Sequence, residues 1–154
     1  MKILFDLQDY LRDKPLGELV DDKLFSPYGD VPPTLLLEQV EDVKVVRITN
    51  RVSYESGIEI MLSSIDGICS EGRIIVVGRF GQSLALHGSR IALFSKGEKD
   101  VEISFYEPYS NIYSLTGQLA DVVGRRLYIS LTKTNTFSSG LDFFVDGILV
   151  VCKE

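Results

Sequence analysis

Tryptophan is absent from this chain of 154 residues, histidine occurs once, and cysteine and methionine occur twice each. Each shortage closes a class of explanation. Cys69 and Cys152 form no Cys-x-x-Cys pair and have only His87 to help them, so the ligand set of a structural zinc site is missing. Neither cysteine carries the surroundings of a Cys–His nucleophile. No metal, cofactor or catalytic residue is therefore expected. Two buried free thiols are the expectation for an intracellular chain, and one disulfide is the alternative for an exported one. Long hydrophobic runs are also missing: nothing approaches the roughly 20 apolar residues of a membrane-spanning helix, and no membrane insertion is expected. The opening Met1-Lys2-Ile3-Leu4-Phe5-Asp6 meets an acid too early for the apolar core of a secretory signal, which points to a cytoplasmic protein. No basic run exceeds Arg125-Arg126 and the isoelectric point is near 4.8, so a nucleic acid partner is not expected.

What is present divides unevenly along the chain. The net charge of -6 comes wholly from residues 1 to 42, which hold ten acids against four bases. The remainder, 43 to 154, is balanced. Three of the five prolines fall in the stretch Ser26-Pro27-Tyr28-Gly29-Asp30-Val31-Pro32-Pro33-Thr34, an extended connection on the surface or across a sheet edge. The expected division is an acidic N-terminal arm over 1–42 packed on a β-sandwich domain over 43–154. In the arm, Leu4, Leu7 and Leu11 have helical spacing, and Pro15 is placed to open a second short helix.

After residue 43 the pattern becomes β-branched and aromatic runs punctuated by Gly, Asn, Ser and Asp. Strands are predicted over Val43 to Thr49, Gly57 to Leu62, Arg73 to Val77, Ser83 to His87, Ile91 to Phe94, Val101 to Tyr106, Arg126 to Thr132 and Leu141 to Val151. Without helices between them, these favour an antiparallel sandwich. Strict alternation sets Ile103, Phe105, Ile129, Leu131, Phe143 and Val145 toward a core, joined by Ile60, Ile75, Val77, Leu86 and Leu93. The run Ile74-Ile75-Val76-Val77 is apolar on both faces, as in a central strand covered on both sides. Asp146-Gly147, between two apolar runs, has the residues of a two-residue type I′ hairpin.

Several of these segments resemble laminin-G-like and other concanavalin-A-like lectin domains. The likeness rests on Arg90-Ile91-Ala92-Leu93-Phe94-Ser95-Lys96-Gly97, on Leu119 to Thr134, and on Gly140-Leu141-Asp142-Phe143-Phe144-Val145-Asp146-Gly147-Ile148-Leu149-Val150, and it spans roughly residues 57 to 151. Those domains carry a tryptophan where Arg126 stands here. The resemblance implies an all-β, two-sheet antiparallel jelly-roll sandwich, preceded here by a short, partly helical acidic N-terminal segment.

A sugar site needs aromatic rings for the apolar faces of the sugar and carboxylate, amide or hydroxyl groups for its hydroxyls, gathered on one exposed surface. The outward positions Tyr106, Tyr128, Phe144, Asp142 and Glu102 have that chemistry. Tyr109 and Asn111, in the loop that follows Tyr106, are added as loop candidates. The same face packed under the N-terminal arm is the structural alternative. Glu55 with Glu59, or Glu102 with Glu107, lacks the spacing that would pair two carboxyls for glycoside hydrolysis. The expected function is non-enzymatic, lectin-like carbohydrate binding, with a glycan or a protein as partner and self-association left open. The alternative is a cytosolic interaction module, such as an immunity or inhibitor protein, whose acidic quarter binds a basic protein.

Overall fold

A computed structural model describes residues 2–51, 56–61, 72–80, 90–96, 102–105, 112–117, 126–132 and 141–152. The elements in chain order are β1 (Lys2–Asp6), α1 (Leu7–Leu11), β2 (Gly17–Glu18), β3 (Phe25–Tyr28), β4 (Thr34–Val40), β5 (Val43–Asn50), β6 (Ser56–Ile60), β7 (Gly72–Phe80), β8 (Arg90–Lys96), β9 (Glu102–Phe105), β10 (Ile112–Gly117), β11 (Arg126–Thr132) and β12 (Leu141–Cys152). All pairings are antiparallel. The first sheet runs β10-β7-β12-β5-β4-β2, with β1 alongside β12, and the second runs β3-β6-β11-β8-β9. The chain is an all-β sandwich of jelly-roll type, as the patterning and the resemblance imply.

The core lies between the sheets. Leu35, Leu37, Val46, Ile48, Ile74, Val76, Phe143, Val145, Ile148 and Val150 line it from the first sheet, and Phe25, Ile58, Ile60 and Ile129 from the second. Gly78 is required where β7 crosses Phe143: a Cβ there falls into the Phe143 ring and lies 2.8 Å from the Phe144 carbonyl oxygen. Of the expected core residues, Ile60, Ile129, Phe143 and Val145 are buried. Ile75 and Val77 are not, because β7 buries the opposite parity, Ile74, Val76 and Gly78. With both parities apolar, hydrophobicity alone does not choose a face. The two exposed arginines, Arg73 and Arg79, share the parity of Ile75 and Val77 and mark it as the outer one. The strand expected over Ser83 to His87, including Leu86, lies outside the described residues.

The first 42 residues contribute strands to both sheets. Residues 7–11 form the expected helix, but Gly17–Glu18 pairs with β4 where a second helix was expected after Pro15. Pro27 sits in β3, at the edge of its sheet, where a missing N–H costs no ladder bond. Asp22 ties this region together. Its carboxylate accepts from the Leu24 N–H (2.9 Å), the Phe25 N–H (3.2 Å) and the Tyr10 hydroxyl (2.9 Å), and lies 3.2 Å from Lys14 Nζ. Burial pushes this carboxyl up, yet these donors outweigh burial and hold it below its ordinary value.

Two expectations are corrected. Asp146-Gly147 makes no hairpin. β12 continues through it, because β7 pairs with both halves of the strand and a turn there would forfeit that ladder. Val145 pairs with Gly78 and Gly147 with Val77, so Asp146 is the extra residue of a β-bulge. Positive φ occurs at Gly17, Gly29, Asp21 and Glu41 among the described residues, and not at Gly147. The second correction concerns the thiols: Cys152 is disulfide-bonded. Cys152 lies at the end of β12, in register with Gly72 of β7.

Candidate functional site on the outer face of the first sheet

Along the bulged strand the partner on one edge changes. β5 pairs with Leu141 to Val145 and β1 with Leu149 to Cys152, leaving a gap beside Asp146. The Gln8 side-chain amide fills it, donating to the Asp146 carbonyl (2.7 Å) and the Lys44 carbonyl (2.9 Å). Helix α1 is held there at both ends. Asp6 accepts from the Gln8 N–H (2.9 Å), and Lys44 Nζ donates to the carbonyls of Leu11 (3.2 Å), Arg12 (2.8 Å) and Lys14 (2.7 Å). These bonds satisfy groups that a short helix leaves open, and they fix the strand segment on which the outer face is built.

That face centres on Phe144. Register places Arg47 of β5 on one side of it and Arg79 of β7 on the other. Their guanidinium carbons lie 6.0 Å and 5.9 Å from the ring centroid, at the outer range of cation–π attraction. Arg47 Nη1 donates to Glu38 Oε1 (2.8 Å) and Nη2 to Asp142 Oδ2 (3.1 Å), while the Thr49 hydroxyl donates to Asp142 Oδ1 (2.5 Å). Asp142 first, then Glu38, raises the Arg47 guanidinium above its already high value. Arg79 Nε stands 3.6 Å from Asp146 Oδ2, an ion pair but too long for a hydrogen bond. Burial pushes the Asp146 carboxyl up, and Arg79 offsets this only in part. Among the described residues, Arg47 Nε and Asp146 Oδ1 are buried with no hydrogen-bond partner.

Of the candidates read from sequence, Phe144 and Asp142 come together here, both half-buried. Tyr128 and Glu102 lie on β11 and β9 of the second sheet, so the alternating positions chosen from sequence are divided between two layers. Tyr106, Tyr109 and Asn111 lie outside the described residues. Glu38, Arg47, Thr49, Arg79 and Asp146 were not among the candidates. A charged residue in the middle of an apolar strand, as Arg47 is in Val45-Val46-Arg47-Ile48, was the available signal, and Asp146 was masked by its reading as a turn. Among the described residues no cluster of three or more His, Cys, Asp or Glu has the arrangement to hold a metal ion.

No protein-family model and no curated protein matches this sequence. Similarity appears with solved structures. An exo-β-agarase aligns with a TM-score of 0.57 at 8% identity, over 100% of this chain and 26% of that one. The carbohydrate-binding and glycoside hydrolase modules of a Clostridium thermocellum endo-1,4-β-D-xylanase, complexed with xylohexaose, align at 0.52 and 15% identity, over 90% of this chain and 29% of the other. A xylan-binding module, CBM15, aligns at 0.51 and 8% identity, over 91% and 97%. These likenesses are of fold. Carbohydrate-binding modules share the two-sheet architecture described above.

Proposed function

We propose that the chain is a non-enzymatic carbohydrate-binding module whose glycan lies on the outer face of the first sheet. One observation carries this reading: Phe144 is set among two guanidiniums, three carboxylates and a hydroxyl on a single sheet face, which combines an apolar contact with both donors and acceptors for sugar hydroxyls. The shared architecture with a xylan-binding module supports it, as does the likeness of residues 57 to 151 to concanavalin-A-like lectin domains. The acidic quarter fits less well as a surface for a basic protein. Four of its ten acids are spent internally: Asp6 caps α1, Asp9 pairs with Arg12, Asp22 is buried among donors and Glu38 holds Arg47. The Cys152 disulfide favours an oxidising compartment over the cytoplasm for the working module.

Calorimetric titration with xylan, xylohexaose and agarose oligosaccharides tests the reading. The chain is expected to bind at least one of them, and Phe144→Ala to weaken that binding by about tenfold or more while keeping the melting temperature within about 2 °C. Binding to none of them, or unchanged affinity in Phe144→Ala, overturns it.

A further inference from the structure

The two arginines that flank Phe144 are not equivalent. Arg47 is the more closed: Nη1 and Nη2 are bonded to the carboxylates of Glu38 and Asp142, only its buried Nε lacks a partner among the described residues, and its side chain is 34% exposed. Arg79 is open. Its side chain is 47% exposed, and among the described residues it meets only the Phe144 ring and, across 3.6 Å, Asp146. Asp146 is open in the complementary sense, since among the described residues Oδ1 has no donor and Oδ2 is too far from Arg79 for a hydrogen bond. A carboxylate drawn into a protein is ordinarily matched by donors. Here what is missing is a group that accepts from Arg79 and donates to Asp146. A hydroxyl does both, and a chloride, carboxylate or sulfate cannot donate.

Resting on the reading of this face as a glycan site, we infer that Arg79 and Asp146 are its specificity-determining pair, taking adjacent hydroxyls of a neutral glycan unit seated against Phe144. The bulge is what supplies the pair, because it places Asp146 at the position where β12 has no register partner on β7, beside Arg79. Bulges commonly re-aim a side chain in this way next to functional sites. The charge on the face agrees with a neutral ligand. Next to Phe144, Glu38, Asp142 and Asp146 outnumber Arg47 and Arg79, with Arg73 farther along the same face of β7, and the whole chain carries -6, so a glycan bearing carboxylates or sulfates meets no net attraction there.

The test uses the whole chain and whichever neutral oligosaccharide it binds, titrated calorimetrically against the native protein, Asp146→Asn, Arg79→Lys and Phe144→Ala, with polygalacturonate and heparin as acidic probes. Asp146→Asn keeps the shape but loses the charged acceptor, and Arg79→Lys keeps the charge but loses the fork. Each is expected to lower affinity by about tenfold, the scale of one hydrogen bond to a charged group, with melting temperatures unchanged. The acidic probes are expected to bind more weakly than the neutral oligosaccharide. Neutral-glycan binding that is lost in Phe144→Ala but retained in both pair variants overturns the assignment of Arg79 and Asp146 and leaves the glycan site standing. Tighter binding of an acidic probe overturns the neutral-ligand assignment. Binding of none of these carbohydrates removes the site and the pair together.

Discussion

Asp22 and Asp146 are both carboxylates drawn into the protein, and they are treated in opposite ways. At the corner between α1 and β3, Asp22 meets two backbone N–H groups, a tyrosine hydroxyl and a lysine, and its acidity is strengthened in spite of burial. On the outer face, Asp146 meets, among the described residues, one distant arginine, and its acidity is weakened. A fully partnered polar cluster holds the chain together. An under-partnered one costs stability and is retained where something else completes it.

The largest expected effect comes from the core that supports both regions. Phe143 is fully buried, next in sequence to Phe144 but on the other side of β12. Phe143→Ala is expected to lose about 3 to 5 kcal/mol in denaturant unfolding; a loss no larger than that of Phe144→Ala would erase the distinction between the two faces.

Next is Asp22→Ala, expected to lose about 2 to 3 kcal/mol because the N–H groups of Leu24 and Phe25, both in buried residues, are left without an acceptor. The same carboxyl makes an acid signature. Its folded-state pKa is depressed, so its contribution is complete above the ordinary value of 3.8 and is lost as pH falls through the lower folded value. Scanning calorimetry between about pH 2 and pH 7 should show this component of the decline in the native protein and not in Asp22→Asn. Identical pH profiles would show that the corner is not held by charge.

The smallest effect is the most telling. Asp146 has a raised pKa, so its ionised form weakens the fold above that value and the penalty is relieved as pH falls. Asp146→Asn should therefore melt at or slightly above the native temperature at pH 7, where Asp22→Asn melts below it. A substantial loss of stability in Asp146→Asn would make the two aspartates alike and the outer face merely structural.

Much of the sandwich was legible because period-two alternation is a local property. Arg126–Thr132 and the burial of Phe143 and Val145 follow from it directly, while the strand predicted over Val43 to Thr49 followed from its β-branched run. β10 was not among the predicted strands, because Ile112-Tyr113-Ser114-Leu115-Thr116 places Ile112 on the same side as Ser114 and Thr116 and shows no clean alternation. Strand order is a different kind of information. Nothing local to Tyr128 or Glu102 says that their strands join the sheet opposite Phe144, and nothing local to Arg47 says that Asp142 and Phe144 are its neighbours. The Asp146-Gly147 hairpin failed for the same reason. A dipeptide reports the turn it permits, whereas the continuous partner β7 decides whether the chain turns at all.

The bulge in β12 thus governs the polarity of everything after it. Phe143 and Val145 face inward, and so do Ile148, Val150 and Cys152, only because the bulge takes Asp146 out of the alternation. Were Asp146 instead absorbed into the ladder as an ordinary strand residue, the rest of the strand would turn over, with Leu149 and Val151 inward and Ile148 and Val150 outward, whereas deleting it would leave a plain strand with the same faces and no outward carboxylate. The looping-out that equips the surface is also what lets the terminal strand carry an extra residue and stay right side in.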